Sequence, residues 1–417
     1  MIGKKMTLKQ NIIWNSAGTT VFLLLQWVMT IVVVRISGYK DAGILSLCMS
    51  IGNVLTPMAT YGIRQYQASD LTHRFPNGVY IVTRFFTSAV VLGLGFSFSL
   101  LSHYTTYQIV CINIYIILRI IESVLDVFHG IDQREHRMDI IGLSFLIRGV
   151  ANFAVFSIVL LLTGLLSIAM TAMAVSTILC LIFFDLPKSR SIDSIEPEWN
   201  FRKTRLLLSD CTPLMISGLI SSALAFYPRY LLEKYNGDQL LGIYSSVATP
   251  AIIIQVSSSF IFAPLVPVFA RHYHAGEKRD LSRLMLRIFA YIMVIALIGV
   301  LVSIFGGKFI LSMLFGSDII LYHYLLLPAV INSILTSIVW LLFSVLTAVR
   351  LLREQFLSST IALIICLAIS PMLIRIYNMN GVNFAFLITQ GVQFILMCLF
   401  FYYNYYRRKT HDQECSF

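Results

Sequence analysis

The chain has 417 residues, of which 58% are hydrophobic and only 12% charged, with a mean hydropathy of +0.81. Soluble domains carry roughly a quarter charged residues, which excludes a chain that is mostly solvated surface. Seven scattered cysteines without CxxC or Cys/His ligand spacing give no disulfide framework and no metal site, and no cofactor motif is present.

Apolar runs long enough to cross a bilayer recur throughout. Twelve spans are predicted, at 12–34, 42–63, 80–102, 107–128, 140–162, 165–186, 206–227, 239–262, 284–305, 322–345, 356–376 and 382–404. The first is too long for a signal-peptide core and no small-residue cleavage pattern follows it, so it is read as part of the mature protein. An even number of spans puts both termini on one side. The N-terminal segment, the even-numbered loops and the tail hold 22 of the 31 Lys and Arg residues, among them Lys4, Lys5, Lys9, Lys278, Arg407, Arg408 and Lys409. By the positive-inside rule these parts are cytoplasmic. That asymmetry accounts for the net charge of +11 beside anionic headgroups, with no nucleic acid required.

The polar stretch Pro187–Arg205 divides the chain near its midpoint. We read an N-terminal six-helix lobe at 1–187, a cytoplasmic linker at 188–205, and a C-terminal six-helix lobe with a cytoplasmic tail at 206–417. Gly38–Ser46 and Gly237–Ser245 both spell G-x4-G-I-x-S, and each connects the first and second helices of its half. The expected fold is therefore an all-α polytopic membrane protein of two lobes related by a parallel pseudo-repeat, an arrangement that places substrate between the lobes. External loops are short, and HExxH, GxSxG, P-loop and DxD-like patterns are absent. An enzyme is not expected.

The fourth span breaks the apolar pattern. Leu118–Phe128 carries Arg119, Glu122 and Asp126, spaced three and then four residues apart, so all three share one stripe of a helix. Arg148 lies about eight residues into the fifth span and Arg84 about five into the third. A charge at the centre of a span costs about 2.5–3.5 kcal/mol even on the lenient insertion scale. Two readings stand side by side. In one, Glu122 pairs with Arg119 or Arg148, and Asp126 with Arg84, locking helices together. In the other, three arginines against two carboxylates leave positive charge in a hydrated cavity suited to phosphate, which the planar guanidinium binds with two parallel hydrogen bonds. Glu122 and Asp126 are then candidate proton or sodium carriers, although arginines this close tend to keep carboxylates ionised. Arg35 and Arg229 end the first and seventh spans, where they either snorkel to the interface or flank the outer mouth of a central cavity. No comparable set of charges lies inside the C-terminal spans, so the halves are functionally unequal.

Gln26-Trp27 followed by Val32–Arg35 and Gly38–Ser46 resembles the first helical hairpin of Wzx-type polysaccharide flippases. Tyr61–Asp70 resembles the segment after their second helix. Arg119, Glu122, Asp126, His129-Gly130 and Gln133 resemble their fourth helix and the loop that follows it. Arg148 falls where their fifth helix carries arginine, and Tyr227–Tyr230 resembles a Pro-Lys-Tyr run with arginine in place of lysine. The family belongs to the superfamily of MATE-type multidrug antiporters and the lipid II flippase. The resemblance implies export of an undecaprenyl-pyrophosphate-linked oligosaccharide repeat unit across the bacterial inner membrane for O-antigen, capsule or exopolysaccharide, by alternating access. It also implies a polysaccharide polymerase and a chain-length regulator as partners. The alternatives are a MATE-like cation antiporter, whose cavity should be acidic and aromatic, and a lipid II-type flippase, which typically has fourteen spans.

Overall fold

The computed structural model describes residues 8–70, 74–193, 195–262 and 265–414. Lys4 and Lys5, on which the orientation partly leans, lie outside these residues, as do the side chains of Lys9, Lys278, Arg407, Arg408 and Lys409. Every regular element among the described residues is a helix. The first half of the sequence forms α1 (Leu8–Thr60), α2 (Ile63–Ser69), α3 (Asn77–Leu101), α4 (Thr106–Arg134), α5 (Met138–Thr163), α6 (Leu166–Cys180) and α7 (Leu186–Arg190). The second half forms α8 (Phe201–Asn236), α9 (Asp238–Ala248), α10 (Ile252–Phe262), α11 (Val266–His274), α12 (Lys278–Leu301), α13 (Gly307–Phe315), α14 (Leu326–Ala348), α15 (Leu352–Tyr377) and α16 (Met379–Glu414).

Eleven described helical segments are long and apolar enough to cross a membrane, and the first of them counts twice. A straight helix of 53 residues would run about 80 Å at 1.5 Å per residue, far beyond a hydrocarbon core of about 30 Å. α1 breaks at Gly38, whose backbone leaves the helical region (φ 83°, ψ −177°). Its two parts are the first and second spans, giving twelve spans in all. Gly237, between α8 and α9, repeats that conformation (φ 83°, ψ 172°). A positive φ is open to glycine at little cost and strained for other residues. The G-x4-G-I-x-S repeat thus marks one backbone turn used twice, at the same place in each half.

Local chemistry sets several helix ends. Thr105 and Gln108 cap α4 reciprocally, the Gln108 N–H donating to Thr105 Oγ1 (3.3 Å) and the Thr105 N–H to Gln108 Oε1 (2.7 Å). α5 stops at Gly164 in the left-handed conformation. A π turn at Leu181–Asp185 continues α6 into α7, and Pro187, which has no N–H to give, sits in the first turn of α7. α4 runs six residues beyond the predicted span, because His129, Ile131 and Asp132 are buried by neighbouring helices and need no lipid.

The chain divides into two compact units, Met1–Ser222 and Ala223–Phe417, with the boundary inside α8. Within the first unit α1 crosses α5 at backbone contact. A Cβ placed at Gly18 would lie 1.9 Å from the carbonyl oxygen of Gly142, so only glycine permits this approach. Ile63 of α2, Phe75, Val79 and Tyr80, Val127 and Ile131 of α4, and Leu207 and Cys211 of α8 form a buried cluster there. Within the second unit Phe269, Ile288 and Ile292 pack against Leu341 and Val345.

Candidate functional site

The first unit gathers the intramembrane charges into two groups along α4. In one, Glu122 receives a short hydrogen bond from Arg119 Nη1, one turn earlier on the same helix. Arg148 Nη1 of α5 reaches the other carboxylate oxygen at 4.0 Å. Arg119 is steadied from α1, donating through Nε to Thr56 Oγ1 (3.2 Å) and through Nη2 to Asn53 Oδ1 (3.2 Å). Arg148 is almost fully buried, its guanidinium 4.7 Å from the ring centre of Phe22 and 5.0 Å from that of Phe145. Aromatic faces stabilise a cation that has given up water. The two cations therefore share one carboxylate and differ in access, Arg119 being about a fifth exposed and Arg148 not.

In the second group Asp126 lies between Arg84 of α3 and Arg64 of α2. Arg84 Nη2 donates to Asp126 Oδ2 at 3.1 Å and its Nη1 to the Ala59 carbonyl at 3.0 Å. Its side chain is completely buried, so it clamps α3 to α1 and α4 and touches no open space. Arg64 Nη1 donates to Asp126 Oδ1 at 3.1 Å and its Nε to Gln133 Oε1 at 3.0 Å, and it remains about a fifth exposed. The accessible arginine on this carboxylate is Arg64.

Of the pairs in the first sequence reading, Asp126 meets Arg84, and Glu122, expected with Arg119 or Arg148, is reached by both. Arg64 falls just past the second span, where a charge carries no cost, and only the fold brings it to Asp126. Asn53 and Thr56 carried no signal beyond being polar inside an apolar run. With Arg64 included, four guanidinium groups face two carboxylates, an excess of two positive charges within these two groups. Arg35 is exposed near the break in α1. Arg229 belongs to the second unit, half-buried on α8, with its Nε lacking a hydrogen-bond partner among the described residues.

A narrow cavity of about 30 Å³ opens beside the first group, lined by Gln26, Tyr115, Arg119, Glu122 and Asn152 together with apolar residues such as Phe22 and Met173. That is room for about two waters. It is the polar interior of a helical bundle, not a pocket shaped around a ligand in this conformation. Among the described residues no group of three or more His, Cys, Asp or Glu side chains is placed to hold a metal ion.

A family model described as polysaccharide biosynthesis protein matches residues 8–273. The chain belongs to that family. A family relative by sequence, the capsular polysaccharide biosynthesis protein CapF of Staphylococcus aureus, is 24% identical over 405 residues, covering 92% of this chain and 96% of that protein. Among solved structures, the inward-facing form of a multidrug resistance MATE family transporter of the MOP superfamily matches with a TM-score of 0.74 at 13% identity, over 98% of this chain and 97% of that one. A MOP superfamily transporter from Pyrococcus furiosus, described as having a binding pocket of reverse polarity, matches with a TM-score of 0.59 at 14% identity, over 95% and 96%. At such identities these likenesses show the fold, which is that of the MATE transporters. Membership of the polysaccharide biosynthesis family on this fold agrees with the resemblance to Wzx-type flippases read from the sequence.

Proposed function

We propose that this membrane protein carries a polyprenyl-diphosphate-linked oligosaccharide repeat unit from the cytoplasmic to the external leaflet of the bacterial inner membrane. The observation that carries the reading is the charge count of the groups at Glu122 and Asp126: two carboxylates, each held by two arginines, leave an excess of two positive charges there. A diphosphate ester bears about two negative charges, and guanidinium forks replace its hydration well. Arg119 is the first contact, being accessible and fixed by Asn53 and Thr56; Arg148 adds field from behind, and Arg64 marks the entrance. Arg35 and Arg229 serve the outer mouth, while Arg84 with Asp126 holds the helices. Transport proceeds by alternating access, with both termini cytoplasmic, and the cavity beside Arg119 widens to admit the headgroup while the lipid tail stays in the bilayer. The repeat unit is then taken by a polymerase and chain-length regulator outside. The driving force is an ion gradient, the membrane potential or consumption of the product, since no ATP-binding motif is present.

The MATE fold itself favours a second reading, export of organic cations. The one carboxylate lining the cavity, Glu122, is already engaged by two arginines, which leaves little attraction for a cation. Titrating the purified protein with a short-chain polyprenyl-diphosphate sugar and with a lipophilic cation separates the two. Saturable binding of the diphosphate, weakened by Arg119→Ala, is expected; saturable binding of the cation alone would support the antiporter and reject the flippase.

A further inference from the structure

Past the two charge groups, α4 enters a third polar cluster that the transport reading does not use. His129 and Asp132 lie one turn apart on α4, and Asp185 and Ser189 one turn apart on the π turn and α7; all four are fully buried. His129 Nε2 stands 3.3 Å from Asp185 Oδ1 and 3.1 Å from Ser144 Oγ of α5. Ser189 donates to Asp132 Oδ1 at 3.1 Å. The second oxygen of each carboxylate, Asp132 Oδ2 and Asp185 Oδ2, has no hydrogen-bond partner among the described residues. Among the described residues no arginine or lysine makes an ion pair with either acid, in contrast to Glu122 and Asp126.

An ionised carboxylate sealed from water with a bare oxygen is the least favourable state such a group can take. Two of them beside one imidazole leave the cluster negative even when the imidazole is charged. We infer that His129, Asp132 and Asp185 form a proton-binding site. One proton taken from solvent adds to a carboxylate oxygen of the cluster and returns to solvent as pH rises. No bond changes except O–H. The π turn that places Asp185 fits this, since single π turns recur at functional positions.

The groups facing the site come from every neighbouring element. Arg64 of α2 and Arg148 of α5 act on His129 through space, and Asp185, Arg137 and Asp139 act on Asp132. Cys180 of α6 is acted on by both Asp185 and Arg148. Arg148 matters most, because Phe145 links it to the site: the Phe145 ring is 5.4 Å from the His129 ring and 5.0 Å from the Arg148 guanidinium. A proton gained at the cluster makes the potential at Arg148 more positive, which favours an anion beside it, whether Glu122 or an incoming one. By linkage the reverse holds: an anion bound at Arg148 favours proton uptake. This last step rests on the diphosphate reading above; the proton site does not.

Infrared difference titration of the purified full-length protein tests the site without any substrate. Between about pH 5 and about pH 8 the wild type is expected to show a protonated-carboxyl band growing as pH falls, diminished in Asp185→Asn and in Asp132→Asn. A wild type with no such band, or a band that both variants keep unchanged, overturns the proposal whatever the transported substrate is. In a second measurement the affinity for a polyprenyl-diphosphate sugar, fully ionised across this range, should rise by about tenfold from high to low pH, and His129→Gln should flatten that dependence. A normal infrared result with pH-independent binding would reject the link to Arg148 and leave the proton site standing.

Discussion

Glu122→Gln probes the balance on which the transport reading depends. Cutting one member from a buried ion pair usually costs about 3–5 kcal/mol, because the partner charge is stranded. Here the loss should be smaller. The amide keeps an acceptor oxygen for Arg119, which retains Thr56 and Asn53, and Arg148 retains the faces of Phe22 and Phe145. Exchanging a charged acceptor for a neutral one at a single hydrogen bond costs about 1 kcal/mol, too little to remove the protein from the membrane. The same change deletes a negative charge beside the cavity. At an effective permittivity of ~20, a unit charge about 6 Å from a bound phosphate is worth about 3 kcal/mol, and screening by neighbouring groups leaves roughly half of that. Affinity for a lipid diphosphate should therefore rise by about tenfold, while export falls because product leaves slowly or an arginine is no longer drawn back. Membrane abundance, equilibrium binding of a lipid-diphosphate analogue and surface polysaccharide would be measured in parallel. Normal abundance with binding lost would refute the reasoning; a collapse in abundance would show that the group only clamps helices.

Arg119→Ala and Arg148→Ala should each abolish surface polysaccharide at normal protein level, with lysine restoring part of it at Arg119, where the fork geometry is lost but the charge is kept; glutamine working as well as arginine would rule out phosphate recognition. Arg84→Met, by contrast, should lower the detergent melting temperature, because it leaves one oxygen of Asp126 without its buried donor and the Ala59 carbonyl with Thr87 Oγ1 as its remaining side-chain donor; a loss of about 2–4 kcal/mol follows from breaking a buried charged hydrogen bond. Gly142→Val should prevent accumulation of folded protein, since a Cβ there would meet the Trp14 carbonyl oxygen at 2.2 Å and the helices cannot part by that much locally. Cysteine labelling should find the 188–205 segment accessible only from the cytoplasmic side; external labelling would reverse the orientation and the direction of transport.

What could be read from the sequence follows from which forces act locally. Hydropathy located all twelve spans, because lipid selects composition residue by residue. It could not show that α4 continues to Arg134 or α8 from Phe201 to Asn236, since those extensions are covered by protein or water and carry ordinary polar residues. The repeat around Gly38 and Gly237 was visible as letters, and its reason, a shared positive φ, became visible only in the backbone. Charges inside spans declared themselves through their cost. Their partners did not: Arg64 lies where charge is unremarkable, and Asn53 and Thr56 meet Arg119 only because two helices pack at that height. His129 stands out in the sequence only through a resemblance, and its pairing with Asp185 depends on a π turn that no composition signal announces.

The central claim is movement of a diphosphate-linked sugar across the bilayer, and reconstitution tests it most directly. Purified protein would be placed in liposomes loaded with a polyprenyl-diphosphate oligosaccharide, and appearance of the sugar on the opposite leaflet followed with a membrane-impermeant lectin or glycosidase. The account predicts protein-dependent transfer that Arg119→Ala abolishes and Arg119→Lys restores in part. Transfer no faster than in protein-free liposomes, with a lipophilic cation moved instead, would contradict it.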